Sequence, residues 1–230
     1  ELTVNMLNHH NPYTGMRYAD DPALSFIELQ NEDNAFFPTT LQWMEACPTY
    51  KALICQKFSR WLKQKYGTQE ALEKSWGKAF HVFKECYSDE SLANENIHPM
   101  PHQWYFSHDA FEKMPQYRKC LYDSARFIYE CQQAYYNKMV AAIRATGYKG
   151  AIVGSCWQAG DHIGHYYNLY ADYKVGVIDR HNYFGGGGGH ILKEGEFNNA
   201  SMLSQPGSGL LGTGMQQVEV RPCVFSEWIS

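Results

Sequence analysis

The chain carries the segment Ser25-Phe26-Ile27-Glu28-Leu29-Gln30-Asn31-Glu32, in which a short, largely apolar run ends in a carboxylate. A run of about four to eight such residues between turn-forming residues is typical of a buried parallel strand. A second segment of this kind is Arg221-Pro222-Cys223-Val224-Phe225-Ser226-Glu227. A carboxylate at the end of a buried strand contributes little to packing. Glu32 and Glu227 are therefore candidates for chemistry.

Two further strand-like segments, 151–157 and 175–181, lie between these two, and helical patterns separate the strands. Strands that alternate with helices predict βαβ units and a parallel sheet with right-handed crossovers. In a parallel α/β barrel the C-terminal strand ends surround the active site, so acids at two strand ends can converge. Four strands do not close a barrel of eight, so either the sheet is open or the chain is a piece of a longer one.

Helices are predicted over 2–7, 51–66 and 117–145, and Thr68 is predicted to cap another helix that ends at Trp76. The segment 88–115 contains three prolines and is predicted to run irregularly over the surface. Five consecutive glycines at 185–189 predict a loop at the rim rather than a phosphate site. They lack the lysine of a P-loop, and no helical pattern follows at once.

Composition restricts the class of protein. The 230 residues, 44% apolar and 19% charged, suffice for one globular domain, and a net charge of -4 provides no basic field for nucleic acid. No run of about 18 apolar residues exists, so a membrane span is excluded. The seven cysteines and the histidines at 98–102 and 162–165 lack the spacing of a metal site, so no metal or cofactor is expected. The 15% of aromatic residues suit either a surface that stacks on sugars or a tyrosine-rich core.

Three short motifs occur in an order known from one group of enzymes. They are Asn31-Glu32, His181-Asn182-Tyr183 and Ser226-Glu227-Trp228. In this order they resemble the ends of the fourth, sixth and seventh strands of clan A glycoside hydrolases, especially the family 5 cellulase and mannanase type. The resemblance implies a (β/α)8 TIM barrel of which this chain covers strands four to seven. Residues 1–230 would then form a single catalytic domain without its first strands and its last one.

The resemblance implies a retaining β-glycoside hydrolase that acts on a poly- or oligosaccharide. Glu227 would attack the anomeric carbon while Glu32 donates a proton to the leaving oxygen, and Glu32 would then activate the water that releases the sugar. This chemistry requires the two carboxyl groups to be about 5 to 5.5 Å apart. It also requires their pKa values to be separated.

Five other residues are candidate contacts to the substrate. Asn31 would hold the sugar 2-hydroxyl, Tyr183 would donate a hydrogen bond to the nucleophile, and His181 would orient this network or touch the substrate. Trp157 and Trp228 follow strand ends, where they either stack on sugar rings or pack under a loop.

The sequence leaves alternatives open. Glu28, Asp33 and Asp179 lie near strand ends and are rival acids. An inverting enzyme would need a wider gap between the carboxyl groups. A carbohydrate-binding module on a degenerate barrel would bind sugar without turnover, but it has no reason to retain two acids at opposed strand ends. The sugar, the linkage, the oligomeric state and the compartment stay open, with a secreted or periplasmic location favoured.

Overall fold

The computed structural model describes residues 1–36, 44, 46–77, 89–99, 112–155 and 163–179, all within one compact unit, Glu1–Asp179. The elements in chain order are α1 (Leu2–Asn8), β1 (Phe26–Glu28), α2 (Pro48–Tyr66), α3 (Gln69–Trp76), α4 (Arg118–Ala145), β2 (Ala151–Val153) and α5 (Ile163–Val175). Short 3-10 turns occur at Tyr18–Asp20 and Pro115–Tyr117.

The two strands pair in parallel. Phe26 lies opposite Ala151, Ile27 opposite Ile152, and Glu28 opposite Val153. On the other edge of β2, Val153 forms a parallel bridge with Val177. Among the described residues, three strand segments therefore lie side by side in chain order, with α2, α3 and α4 between the first two and α5 between the last two. This is the βαβ arrangement that the sequence predicts.

Both strands are shorter than their sequence patterns. The sequence predicts that the first strand ends at Glu32, but β1 ends at Glu28. The reason is that its pairing with β2 determines where β1 stops. Two more ladder hydrogen bonds follow, from Leu29 N to Val153 O and from Gln30 N to Gly154 O, both 3.1 Å long. Of the strand expected over 151–157, the structure shows Ala151–Val153, and its last two residues lie outside the described residues.

The predicted start of the strand over 175–181, at Val175, is wrong. Val175 is the last residue of α5 and packs against the core. Gly176, with φ +144, then turns the chain, and pairing begins at Val177. The apolar pattern did not separate the end of a helix from the start of a strand because a valine stands at each, Val175 in α5 and Val177 in the bridge.

The predicted helices are confirmed. α2 begins at Pro48, slightly earlier than its pattern suggests, because proline at the first helical position loses no hydrogen bond. It ends at Tyr66, and the capping residue Gly67, with φ +79, donates from its N–H to Lys63 O at 2.8 Å. Thr68 caps α3 as expected, and its Oγ1 accepts a hydrogen bond from Ala71 N at 3.2 Å.

The larger core lies among α2, α3, α4 and α5. Its fully buried side chains include Phe58, Leu62, Leu72, Leu121 and Ala171. Tyrosines extend this core, because Tyr129 stacks on Tyr167 and Tyr170 at ring-centroid distances of 5.1 and 5.4 Å. These tyrosines serve packing, which favours the tyrosine-rich core for at least part of the aromatic content. Among the described helices, none is both long and apolar enough to cross a bilayer.

A buried carboxylate joins α2 and α3 to α4. Asp123 is 1% exposed and accepts hydrogen bonds from Lys65 Nζ at 2.5 Å, Tyr66 Oη at 2.5 Å and Trp76 Nε1 at 2.7 Å. Three donors and one neighbouring positive charge satisfy the buried carboxylate. Burial, together with the hydrogen bond to Asp123, raises the pKa of Tyr66 to about 12.

A second acid lies in the segment 89–99. Glu90 Oε1 accepts a hydrogen bond from the backbone N–H of His98 at 2.8 Å. Burial raises the pKa of Glu90 to about 7, the carboxylate of Asp89 adds to the shift, and the His98 N–H and Lys51 oppose it.

We expect this group to make stability depend on pH. The folded protein holds the Glu90 proton that the unfolded chain has released, so the free energy of unfolding should fall as pH rises from about 4.5 to about 7. The loss should be at most about 3 kcal/mol, since one pKa unit corresponds to about 1.4 kcal/mol. Urea unfolding across this pH range tests it. Glu90→Gln should flatten the fall, and an unchanged pH slope in that variant would contradict the assignment.

Candidate active site

The structure places part of the predicted site. Asn31 and Glu32 lie among the described residues. The other candidates lie outside the described residues: Trp157, His181, Tyr183, Glu227 and Trp228.

Asn31 and Glu32 lie in the loop that leaves the C-terminal end of β1. The loop starts after Gln30, whose N–H makes the last ladder hydrogen bond to β2. Asn31 is exposed, and Glu32 is half-buried. Since β1 and β2 are parallel, their C-terminal ends lie at the same edge of the sheet. Glu32 is thus at the edge where parallel barrels form their active sites.

The backbone of Glu32 is strained. Its φ is +48, in the left-handed region that side chains other than glycine rarely adopt. Such a conformation costs about 1 to 2 kcal/mol for an L-residue, so the surrounding structure must hold it in place. Strain of this kind is concentrated at functional sites.

The chain just after Glu32 is anchored in the core. Asp33 Oδ1 accepts a hydrogen bond from Asn34 N at 2.8 Å, and Asn34 Oδ1 accepts one from Phe36 N at 2.7 Å. Asn34 and Phe36 are 2% and 1% exposed, and the Phe36 ring stacks on Tyr167 at a centroid distance of 6.2 Å. The loop that carries Glu32 is therefore short and fixed at its far end.

Residues 6–184 match the protein-family model of glycoside hydrolase family 42, described as beta-galactosidase. This range is well over half of the chain. The chain belongs to glycoside hydrolase family 42. A search of curated proteins and a search of solved structures each found no match.

Family 42 is part of clan A, and it is a TIM-barrel family of retaining β-glycoside hydrolases. The predicted clan is therefore confirmed, while the finer resemblance to family 5 cellulases and mannanases is not supported. The parallel order of β1, β2 and the Val177 bridge is consistent with part of such a barrel. The assignment of strands four to seven stays a prediction. The matched range includes Glu32 and ends before Glu227.

The rival acids differ from Glu32 in their surroundings. Asp33 is exposed, and its carboxylate caps the backbone of the next residue. Glu28 is half-buried in β1, and within the described residues its Oε1 is buried without a hydrogen-bond partner. Asp179 is half-buried and follows the Val177 bridge. Of these acids, Glu32 alone combines a position beyond a strand end with a strained backbone.

The end of β2 is held by a contact that sequence reasoning missed. Asp172 of α5 is 1% exposed, and its two carboxylate oxygens accept hydrogen bonds from Ser155 N and Ser155 Oγ, both at 2.9 Å. Asn168 Nδ2 also donates to Ser155 Oγ, at 3.0 Å. A Cβ on Gly154 would lie 2.1 Å from Asp172 Oδ1, so this approach requires glycine. No motif marks Asp172, because its partner Ser155 lies 17 residues earlier in the chain.

The connection from β1 to α4 is unusually long. It spans 29–117 and includes α2 and α3. In parallel barrels the loops that follow the strands form the active-site face, so this insertion begins on the same face as Glu32. Within the described ranges, no group of three or more His, Cys, Asp or Glu side chains could hold a metal ion.

Proposed function

We propose that this chain supplies both catalytic carboxylates of a retaining β-galactosidase, with Glu32 as acid/base and Glu227 as nucleophile. The observation that carries the proposal is the family match over residues 6–184. The position of Glu32 just beyond the C-terminal end of β1 supports it. Residues 1–230 would form part of one catalytic barrel domain.

The proposed reaction has two steps. In the first, a carboxylate oxygen of Glu227 forms a bond to the anomeric carbon, the bond from that carbon to the leaving oxygen breaks, and Glu32 gives its proton to that oxygen. In the second, Glu32 takes a proton from water, the water oxygen bonds to the anomeric carbon, and Glu227 leaves as a carboxylate. Each step inverts the configuration at the anomeric carbon, so the product retains the configuration of the substrate. Glu32 ends each cycle protonated, as it began.

The remaining candidates receive supporting roles. Asn31 is exposed beside Glu32, so its amide is available to the sugar 2-hydroxyl, a contact that strengthens in the transition state. Tyr183 would donate a hydrogen bond to the Glu227 carboxylate, and His181 would orient that pair. Trp157 and Trp228 would offer apolar faces on which the sugar stacks.

The substrate proposed is a β-galactoside, following the description of the matched family. A galactose site must hydrogen-bond an axial 4-hydroxyl, and a site built for a hydroxyl group rejects the analogue in which it is missing or misplaced. Cellulose-like and mannan-like substrates present an equatorial 4-hydroxyl. We therefore propose a galactoside as the substrate, and not a cellulose-like or mannan-like one.

The test uses the intact gene product and matched aryl glycosides. We expect phenyl β-galactoside to be cleaved with kcat/KM about tenfold or more above that for phenyl β-glucoside and phenyl β-mannoside. Proton NMR at early times should show β-galactose as the first product, because double displacement retains configuration. α-Galactose as the first product would contradict a retaining mechanism. Galactoside binding without cleavage would instead indicate a carbohydrate-binding module.

A further inference from the structure

One buried side chain holds both ends of the loop that carries Glu32. Gln132 lies on α4 and is 5% exposed. Its Oε1 accepts a hydrogen bond from Ala35 N at 2.9 Å, and its Nε2 donates to Gln30 Oε1 at 3.1 Å. Gln30 precedes Glu32 by two residues, and Ala35 follows it by three. The amide of Gln132 therefore bridges the loop across Glu32.

The chemistry of the two partners fixes the orientation of this amide. The backbone N–H of Ala35 can only donate, so the oxygen of Gln132 must face it. The Nε2 group then points to Gln30, whose amide oxygen accepts. A carboxamide offers a donor and an acceptor side by side, which suits this pair of partners, while an apolar side chain of equal length offers neither.

We propose that Gln132 is a positioning residue for the acid/base Glu32. This inference rests on the proposed function. A loop free at both ends would not keep Glu32 in its left-handed backbone conformation. Gln132 ties the residues on both sides of Glu32 to α4, a long helix of the core. The carboxyl group is thereby kept where it can reach the leaving oxygen, although Gln132 itself touches no substrate.

A misplaced acid/base impairs proton donation, so the loss of activity is larger for a substrate whose leaving group needs a proton. In Gln132→Met the side chain keeps its length and loses both hydrogen bonds. We expect kcat/KM for phenyl β-galactoside to fall about 10- to 100-fold, the range expected when a catalytic group moves by a fraction of an ångström to one ångström. For dinitrophenyl β-galactoside, whose leaving group departs without a proton, kcat/KM should change by less than about threefold.

The neighbouring Gln133 provides the matched control. Its Nε2 donates to Asn137 Oδ1 at 2.9 Å along the helix surface. Gln133→Met should leave kcat/KM unchanged for both substrates. Gln132→Glu should recover most of the phenyl activity, because a carboxylate still accepts from Ala35 N and the Gln30 amide can turn to donate to it. Gln30→Met removes one of the two bonds and should give an intermediate, leaving-group-dependent loss even if Gln132→Met fails to fold.

Equal losses on both substrates in Gln132→Met and Gln30→Met would show a purely structural role and overturn the inference. Glu32→Gln, measured in parallel, separates this result from failure of the proposed function. If Glu32→Gln shows the leaving-group dependence and the Gln132 and Gln30 variants do not, only the positioning role is wrong. If Glu32→Gln lacks that dependence, the acid/base assignment is wrong and the positioning role fails with it.

Discussion

Glu227→Ala should abolish the hydrolysis of aryl β-galactosides. We expect kcat to fall about 10⁴-fold or more, the scale of loss when a covalent nucleophile is removed. The reason is that no galactosyl-enzyme bond can form without the carboxylate, however good the leaving group is. The loss should therefore be as large for dinitrophenyl β-galactoside as for phenyl β-galactoside.

Sodium azide sharpens this test. The cavity left by Glu227→Ala should admit azide, which attacks the anomeric carbon from the nucleophile's side, so the product should be α-galactosyl azide. Glu219→Ala removes another glutamate a few residues earlier in the sequence and should retain normal activity. Near-normal hydrolysis by Glu227→Ala, or loss of activity in Glu219→Ala instead, would contradict the nucleophile assignment.

Glu32→Gln should slow the cleavage of phenyl β-galactoside about 10²- to 10⁴-fold, the usual contribution of general acid–base catalysis. Glutamine preserves the size of the side chain but cannot donate the proton. Cleavage of dinitrophenyl β-galactoside should still begin rapidly, with a burst of dinitrophenol followed by slow release of galactose, because the second step has lost its base. Stopped-flow absorbance measures both phases.

Two further measurements distinguish Glu32 from its neighbours. Azide should accelerate the second step of Glu32→Gln and give β-galactosyl azide, the opposite anomer from that expected for Glu227→Ala. Asp33→Asn is the matched control, since asparagine retains an oxygen that can accept from Asn34 N, and its activity should stay near normal. A burst in Asp33→Asn combined with its absence in Glu32→Gln would transfer the role to Asp33.

Four of the described helices, α1 to α4, could be predicted because local signals fix them, whereas α5 (Ile163–Val175) was not predicted. Apolar spacing, Thr68 at the start of α3 and Gly67 after α2 act within a few residues of one another. Strand ends could not be predicted as well, because they depend on a partner that is remote in sequence. β1 ends opposite Val153, over a hundred residues away, and nothing within the segment ending at Glu32 indicates where that pairing stops.

The contacts that hold the loop of Glu32 and the end of β2 could not be predicted from the sequence for the same reason. Gln132 bonds to Ala35 across 97 residues, and Asp172 bonds to Ser155 across 17 residues. The clan could be predicted from the order of three short sequence motifs that resemble those of the clan, while the roles of Glu32 and Glu227 stay predictions. The family could not, because the same chemistry serves glucosides, mannosides and galactosides, and loops decide among them.

The separation of the Glu32 and Glu227 carboxyl groups tests the central claim most directly. It can be measured in a crystal structure of the intact protein with a galactoside bound. We expect about 5 to 5.5 Å, with one carboxyl group on each side of the anomeric carbon. A separation beyond about 6.5 Å, or a galactoside bound away from either carboxyl group, would contradict the assignment of this pair to a retaining mechanism.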